Sequence, residues 1–230
     1  MQRLIPWLLL LAVTSASAEP AALLVYKVWE QGSDPYISRV LVTPTHVRLD
    51  EGQDTGDYTL LDRAAGVVYN VSAEDHSVLV MAPGEASPPA QPALMLDATD
   101  EPDTQAPKVA GRTPHRVELL ANGERCTTLT VLPGAMEAAL AGLRDLRRVL
   151  ARVQARSLAA MPQDLQTACE LASTVYAPTR SLDHGLPLSE QSPGRVQVLL
   201  DYMPDFEVDG GLFGVPSGYQ RIEMSELVPG

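Results

Sequence analysis

Between residues 22 and 81 the chain repeats one pattern, and that pattern limits what it can fold into. Short segments of alternating apolar and polar residues are separated by brief runs of turn-forming residues. The segments are 22–30, 37–42, 47–50, 57–62, 67–71 and 77–81, several of them rich in β-branched and aromatic side chains. Such side chains fit a pleated, half-buried surface, and a period of two places them on one face of a strand. The spacers, among them 51–56, 63–66 and 73–76, are too short for crossover helices. Short strands joined by short turns pair antiparallel as a meander.

The same pattern returns at 116–120 and 126–132, with Asn122-Gly123 between the two runs. An Asn-Gly step flanked by alternating segments predicts a two-residue hairpin. After Pro133-Gly134 the period changes. Met136, Leu140, Leu143, Leu146, Val149, Leu150 and Val153 follow helical spacing, and Leu165, Ala168, Cys169, Ala172, Val175 and Tyr176 make a second helical face beyond Pro162. The helical segment is therefore placed at 134–177. Strands resume at 186–188, 196–200 and 220–224, so the fold class is α+β with an antiparallel sheet.

Residues 83–107 interrupt the rhythm with six prolines, several acidic residues and the brief apolar island Leu94-Met95-Leu96. They are read as a solvated proline-rich loop. The spacing Pro89-Ala90-Gln91-Pro92 lacks the flanking basic residues of a polyproline recognition segment.

The first eighteen residues carry a different signature. Met1-Gln2-Arg3 is short and positive, an apolar run follows from Leu4 to Val13, and Ala16-Ser17-Ala18 precedes Glu19. This three-part pattern is that of a secretory signal peptide. It predicts a signal at 1–18, a single domain at 19–230, and a soluble periplasmic location. No later apolar run approaches the roughly twenty residues needed to cross a bilayer, so a membrane-spanning chain is not expected.

In an oxidising compartment, a lone cysteine pair reads as a disulfide. Cys126 and Cys169 lack the C-x-x-C spacing of a redox pair, and no histidine lies near either in sequence. A structural Cys126–Cys169 bond would join a strand to the second helical face.

Composition removes further classes. The formal charge of −12 opposes binding to phosphate backbones, so no nucleic-acid partner is expected. G-x-S-x-G, Walker A, G-x-G-x-x-G and H-E-x-x-H patterns are absent, and His46, His76, His115 and His184 fall in separate segments. The acidic runs at 97–103 and 201–209 lack the ligand spacing of a calcium loop and are read as solvated loops. No catalytic, metal or cofactor residue is assigned. The basic exception is the row Arg144, Arg147, Arg148, Arg152 and Arg156 on the predicted helix. It reads as a solvated amphipathic face, and Arg144, Arg147, Arg148 and Arg152 are candidate contacts for an acidic partner or phospholipid headgroups.

Four landmarks resemble a known group. They are the block 38–42, 47–50, 58–62 and 66–69, the Asn122-Gly123-Glu124-Arg125-Cys126 strand, Gly185-Leu186-Pro187-Leu188, and residues 212–219. Together they resemble the LolA/LolB-like periplasmic lipoprotein-carrier superfamily and, more closely, secreted proteins of the DUF4412 type. The resemblance implies a curved, incomplete antiparallel β-barrel enclosing or packed against helices. It also implies a non-enzymatic binding or carrier protein whose concave apolar surface holds a lipid acyl chain or another apolar ligand. The alternative is a cell-envelope scaffold or assembly partner without a small ligand. A side-chain-filled concavity favours the scaffold, and an open apolar groove favours the carrier.

Overall fold

A computed structural model describes residues 18–82, 93–158, 162 and 166–224. The signal segment at 1–17 lies outside the described residues, as does 83–92 of the proline-rich stretch.

Among the described residues, twelve strands form one sheet. In chain order they are β1 (Ala18–Glu30), β2 (Tyr36–Val42), β3 (His46–Asp50), β4 (Tyr58–Asp62), β5 (Val67–Ser72), β6 (Ser77–Met81), β7 (Leu96–Pro102), β8 (His115–Ala121) and β9 (Glu124–Leu132), followed after the helices by β10 (Leu186–Ser192), β11 (Arg195–Asp209) and β12 (Gln220–Glu223). Their spatial order is β12-β6-β5-β4-β3-β2-β1-β11-β10-β9-β8-β7. The sheet is open, with β12 and β7 at its edges, and is not closed into a barrel. The fold is α+β, as the sequence predicts.

The first six strands form the expected meander. The predicted hairpin joins β8 to β9, with Asn122 at φ 52° and Gly123 at φ 80°. Positive φ at both central residues matches the right-handed twist of the flanking strands, and glycine adopts it without steric cost.

Three sequence expectations need correction. Residues 96–102 form edge strand β7 on β8, although the proline-rich composition of 83–107 predicts loop throughout. Residues 201–209, expected as an acidic loop, continue β11 against β1. Beyond Leu96, β7 is exposed and leaves no apolar alternation to read, whereas 205–209 alternates acidic residues with Phe206 and the buried Val208, a pattern its acidic composition obscures. The sheet is also not wholly antiparallel, because β12 runs parallel to β6. The chain reaches that distant edge by crossing one face of the meander through 210–219.

Both faces of the meander are buried. On one, Leu24, Val40, Val42, Val47, Leu61 and Val68 meet helix α1 (Glu137–Ser157) through Ala139, Leu140, Leu146 and Val149. On the other, Leu23, Leu41, Leu60, Val71 and Val80 meet Phe213 and the crossing segment. Adjacent residues such as Leu23/Leu24 and Leu60/Leu61 therefore serve opposite cores.

Gly142 sets how closely α1 sits on the sheet. A Cβ there would fall 2.5 Å from Val42 Cγ1 and 2.9 Å from Val47 Cγ2. Gly142→Leu is therefore expected to force the helix outward and destabilise the fold by about 1–3 kcal/mol, the range for overpacking a filled core. Urea unfolding measures this, and an unchanged midpoint would show that the helix is not held at this distance in solution.

Candidate functional site

The predicted helical segment divides into α1, α2 (Ala168–Leu171) and a π turn at Ala172–Tyr176. Cys169 on α2 is bonded to Cys126 on β9, with their Cα atoms 5.1 Å apart, so the disulfide joins strand to helix as expected. The neighbouring core is small, consisting of Ala121, Cys126 and Ala172 with Leu96 and Ala168 beside them.

The arginine row serves two purposes. Arg144 pairs with Asp183 at 3.1 Å and donates to the Leu182 carbonyl at 2.6 Å. Arg147 donates to the Ser181 hydroxyl and lies 3.8 Å from Glu190. These two fix the segment leading into β10 and are largely occupied within the chain. Arg148 pairs at 3.1 Å with Asp145, and Arg152 donates to the Arg148 carbonyl, both on the outer side. Of the four candidate contacts, Arg148 and Arg152 present the more accessible guanidinium groups.

Further cations hold α1 along its length. Arg63 donates to Asp145 at 2.7 Å and to the Thr43 carbonyl at 2.9 Å, tying the helix to the β2–β3 turn. Arg156 donates to the Ala82 carbonyl at 2.9 Å near the other end. Together with Gly142, these contacts make α1 a fixed cover.

A buried ionic network lies on the opposite face, where the sequence pattern gave no sign of one. Arg48 is 1% exposed. It donates through Nε to Asp50 at 2.6 Å, through Nη1 to the Leu212 carbonyl at 2.6 Å, and through Nη2 to the Asp54 carbonyl at 3.4 Å. Its guanidinium lies 3.8 Å from the Tyr58 ring centroid, and Tyr58 donates to the Gly214 carbonyl at 2.6 Å. Arg39 closes the network with bonds to Asp50 and Asp54. Burial pushes the Asp50 carboxyl up, but donation from Arg39, Arg48 and the Gly52 N–H outweighs it and holds the group below the usual carboxylate range. A groove of about 480 Å³ opens beside Arg48, Asp54, Tyr58, Leu212, Val215 and Tyr219. Val71, Leu212, Val215, Pro216 and the Tyr58 and Tyr219 rings make up much of its lining, with the internally bonded Arg48–Asp54 network beside them.

The four histidines do not converge. His46 stacks on Phe213, and His76 packs against Tyr219. His115 and His184 flank one carboxylate, with their Nδ1 atoms 2.7 and 2.8 Å from Asp100. Desolvation pushes the Asp100 carboxyl up, but the bonds from His184 and His115 prevail and lower it. This cluster ties β7, β8 and the segment before β10 together. Among the described residues, no group of three or more His, Cys, Asp or Glu side chains could hold a metal ion. No helix among them is long and apolar enough to cross a membrane.

The geometry defines an α+β protein whose sheet is covered on both faces of the meander. No family model matches the sequence. No curated protein matches it either. Among solved structures, PNGF-II in a C2 crystal form is similar at 11% identity and a TM-score of 0.39, over 91% of this chain and 32% of that one. The chain thus spans about a third of that structure's length.

Proposed function

We propose that this chain is a secreted, non-enzymatic binding protein of the cell envelope that acts as an assembly partner through its surface. The covered sheet supports this reading. The apolar face that a lipid carrier would leave open is filled by Leu140, Leu146 and Val149 of α1. The tight approach at Gly142 and the bonds from Arg63, Arg144 and Arg156 hold that helix in place. Loading an acyl chain there would require displacing α1, and the side chains it covers would lose their buried contacts. On this reading, what the chain has in common with lipoprotein carriers is a sheet packed against a helix, with that face taken by the chain's own helix. Removal of residues 1–18 and export to the periplasm complete the proposal, and the Cys126–Cys169 bond suits that compartment.

Native mass spectrometry of protein purified from the periplasm, followed by lipid extraction, tests it. The expected spectrum shows the processed chain without lipid, and a fatty-acyl fluorescent probe shows no saturable binding. Stoichiometric co-purified lipid would return the carrier reading to first place.

A further inference from the structure

Strand β11 is hydrogen-bonded on one side along nearly all of its length and on the other only at its start. Arg195–Val198 pair with β10. From Leu199 to Asp209 the strand pairs with β1 alone; among the described residues the other recorded bond of its backbone is the Tyr202 N–H donating to Asp201 Oδ1 at 2.8 Å. The divergence begins at a proline. Continuing the β10 register would set Pro187 opposite Leu200, and proline has no N–H to give. The Pro187 carbonyl instead accepts from the Tyr26 hydroxyl at 3.2 Å.

The side chains along this free edge have a consistent chemistry. Leu200 is 56% exposed and Met203 40%, two of the five large hydrophobic residues exposed among the described ones. Register places Met203 opposite Leu23 and Phe206 opposite Ala21, so the apolar core of that face runs out to the edge. Asp201, Asp205, Glu207 and Asp209 are exposed, and none has a cationic partner among the described residues. Residues 199–209 contain no Lys or Arg.

We propose that this edge receives an extended basic segment of a partner protein as an added strand. Backbone pairing supplies the affinity, apolar side chains of the segment extend the Leu23–Met203 face, and its Lys or Arg side chains meet the carboxylates. Pro204 divides the pairing into runs on either side of it. A second copy is the wrong occupant, because two such edges would set carboxylates against carboxylates. The inference rests on the assembly-partner reading and names the chemistry of the partner.

The test uses the full chain and three synthetic peptides of about eleven residues, the length of the free edge. One alternates Lys and Val, one alternates Glu and Val, and one is the Lys/Val peptide with alternate backbone nitrogens methylated. Titration and hydrogen exchange followed by mass spectrometry read the result. The Lys/Val peptide is expected to bind saturably and protect amides within 199–209. The methylated peptide should bind about tenfold or more weakly, having lost several strand hydrogen bonds. The Glu/Val peptide should not bind. The surface variant Asp201→Lys/Asp205→Lys/Glu207→Lys should reverse the preference between the two charged peptides. The proposal is overturned if the free protein already protects 199–209 as fully as β1, through self-association or its own chain. It is equally overturned if binding ignores methylation or charge reversal. Lipid in the native spectrum would overturn the assembly reading without changing the peptide result, so the two failures are separable.

Discussion

Replacing Arg48 with alanine is expected to lower the unfolding free energy by about 3–5 kcal/mol, the cost of removing one partner from a buried ion pair. The guanidinium links three parts of the fold through Asp50, the Asp54 carbonyl and the Leu212 carbonyl, and it stacks on Tyr58. Without it the Leu212 carbonyl loses a charged donor, and Asp50 keeps only Arg39 and the Gly52 N–H. Arg48→Lys should recover only part of the loss, because an ammonium cannot reproduce the planar fork of contacts. The crossing segment at 210–219 should loosen first, seen as faster hydrogen exchange there than in β3 and β4. A loss below about 1 kcal/mol would mean that the network does not hold this segment, since buried pairs broken on one side cost several times that.

The same network predicts an acid dependence of definite sign. The folded-state pKa of Asp50 lies below the ordinary value. Its contribution is therefore complete above the usual carboxylate range of about 4 and is lost as pH falls through the depressed folded value. Asp50→Asn should flatten that part of the stability curve while lowering the plateau at neutral pH. An acid limb as steep as that of the unaltered protein would place the titrating group elsewhere.

Arg48 also shows where sequence reasoning stops. In Val47-Arg48-Leu49-Asp50 the alternation assigns Arg48 to a polar outer face. That inference holds for a sheet with one face in water, but here the 210–219 segment covers the second face and buries Arg48. What covers that face is a contact across 164 residues, which no local period encodes. Local signals succeeded where the local chain decides the outcome. The strand spacing of the meander, the Asn122-Gly123 hairpin, the change of period after Pro133-Gly134 and the joining of Cys126 to Cys169 are all as expected. They failed at β7, which is exposed beyond Leu96, and at the second half of β11, whose acidic composition obscures its alternation. That failure concealed the free edge, because Asp201 to Asp209 resembles a solvated loop until β1 is seen beside it.

The second large effect concerns the disulfide. Replacing Cys126 and Cys169 together with serine is expected to cost about 4 kcal/mol, the loop-closure entropy for a sequence separation of 43 residues. The segment it holds has little else to keep it in place. Helix α2 is only four residues long and is followed directly by a π turn, and the small core there rests on Ala172, Leu171 and Val175. A helix this short is not stable by itself, because nucleation costs more than a few hydrogen bonds return. Loss of the bond should therefore act at two levels. Global stability falls because the denatured chain regains its freedom, and residues 168–176 exchange their amides fastest of any helical segment described. The α1 helix should remain protected, since Arg63, Gly142 and the sheet hold it independently of the cysteines. Reducing the unaltered protein should reproduce both effects, separating loss of the cross-link from any effect of the serine side chains. Equal stability of the oxidised and reduced forms would show that α2 is docked by packing alone.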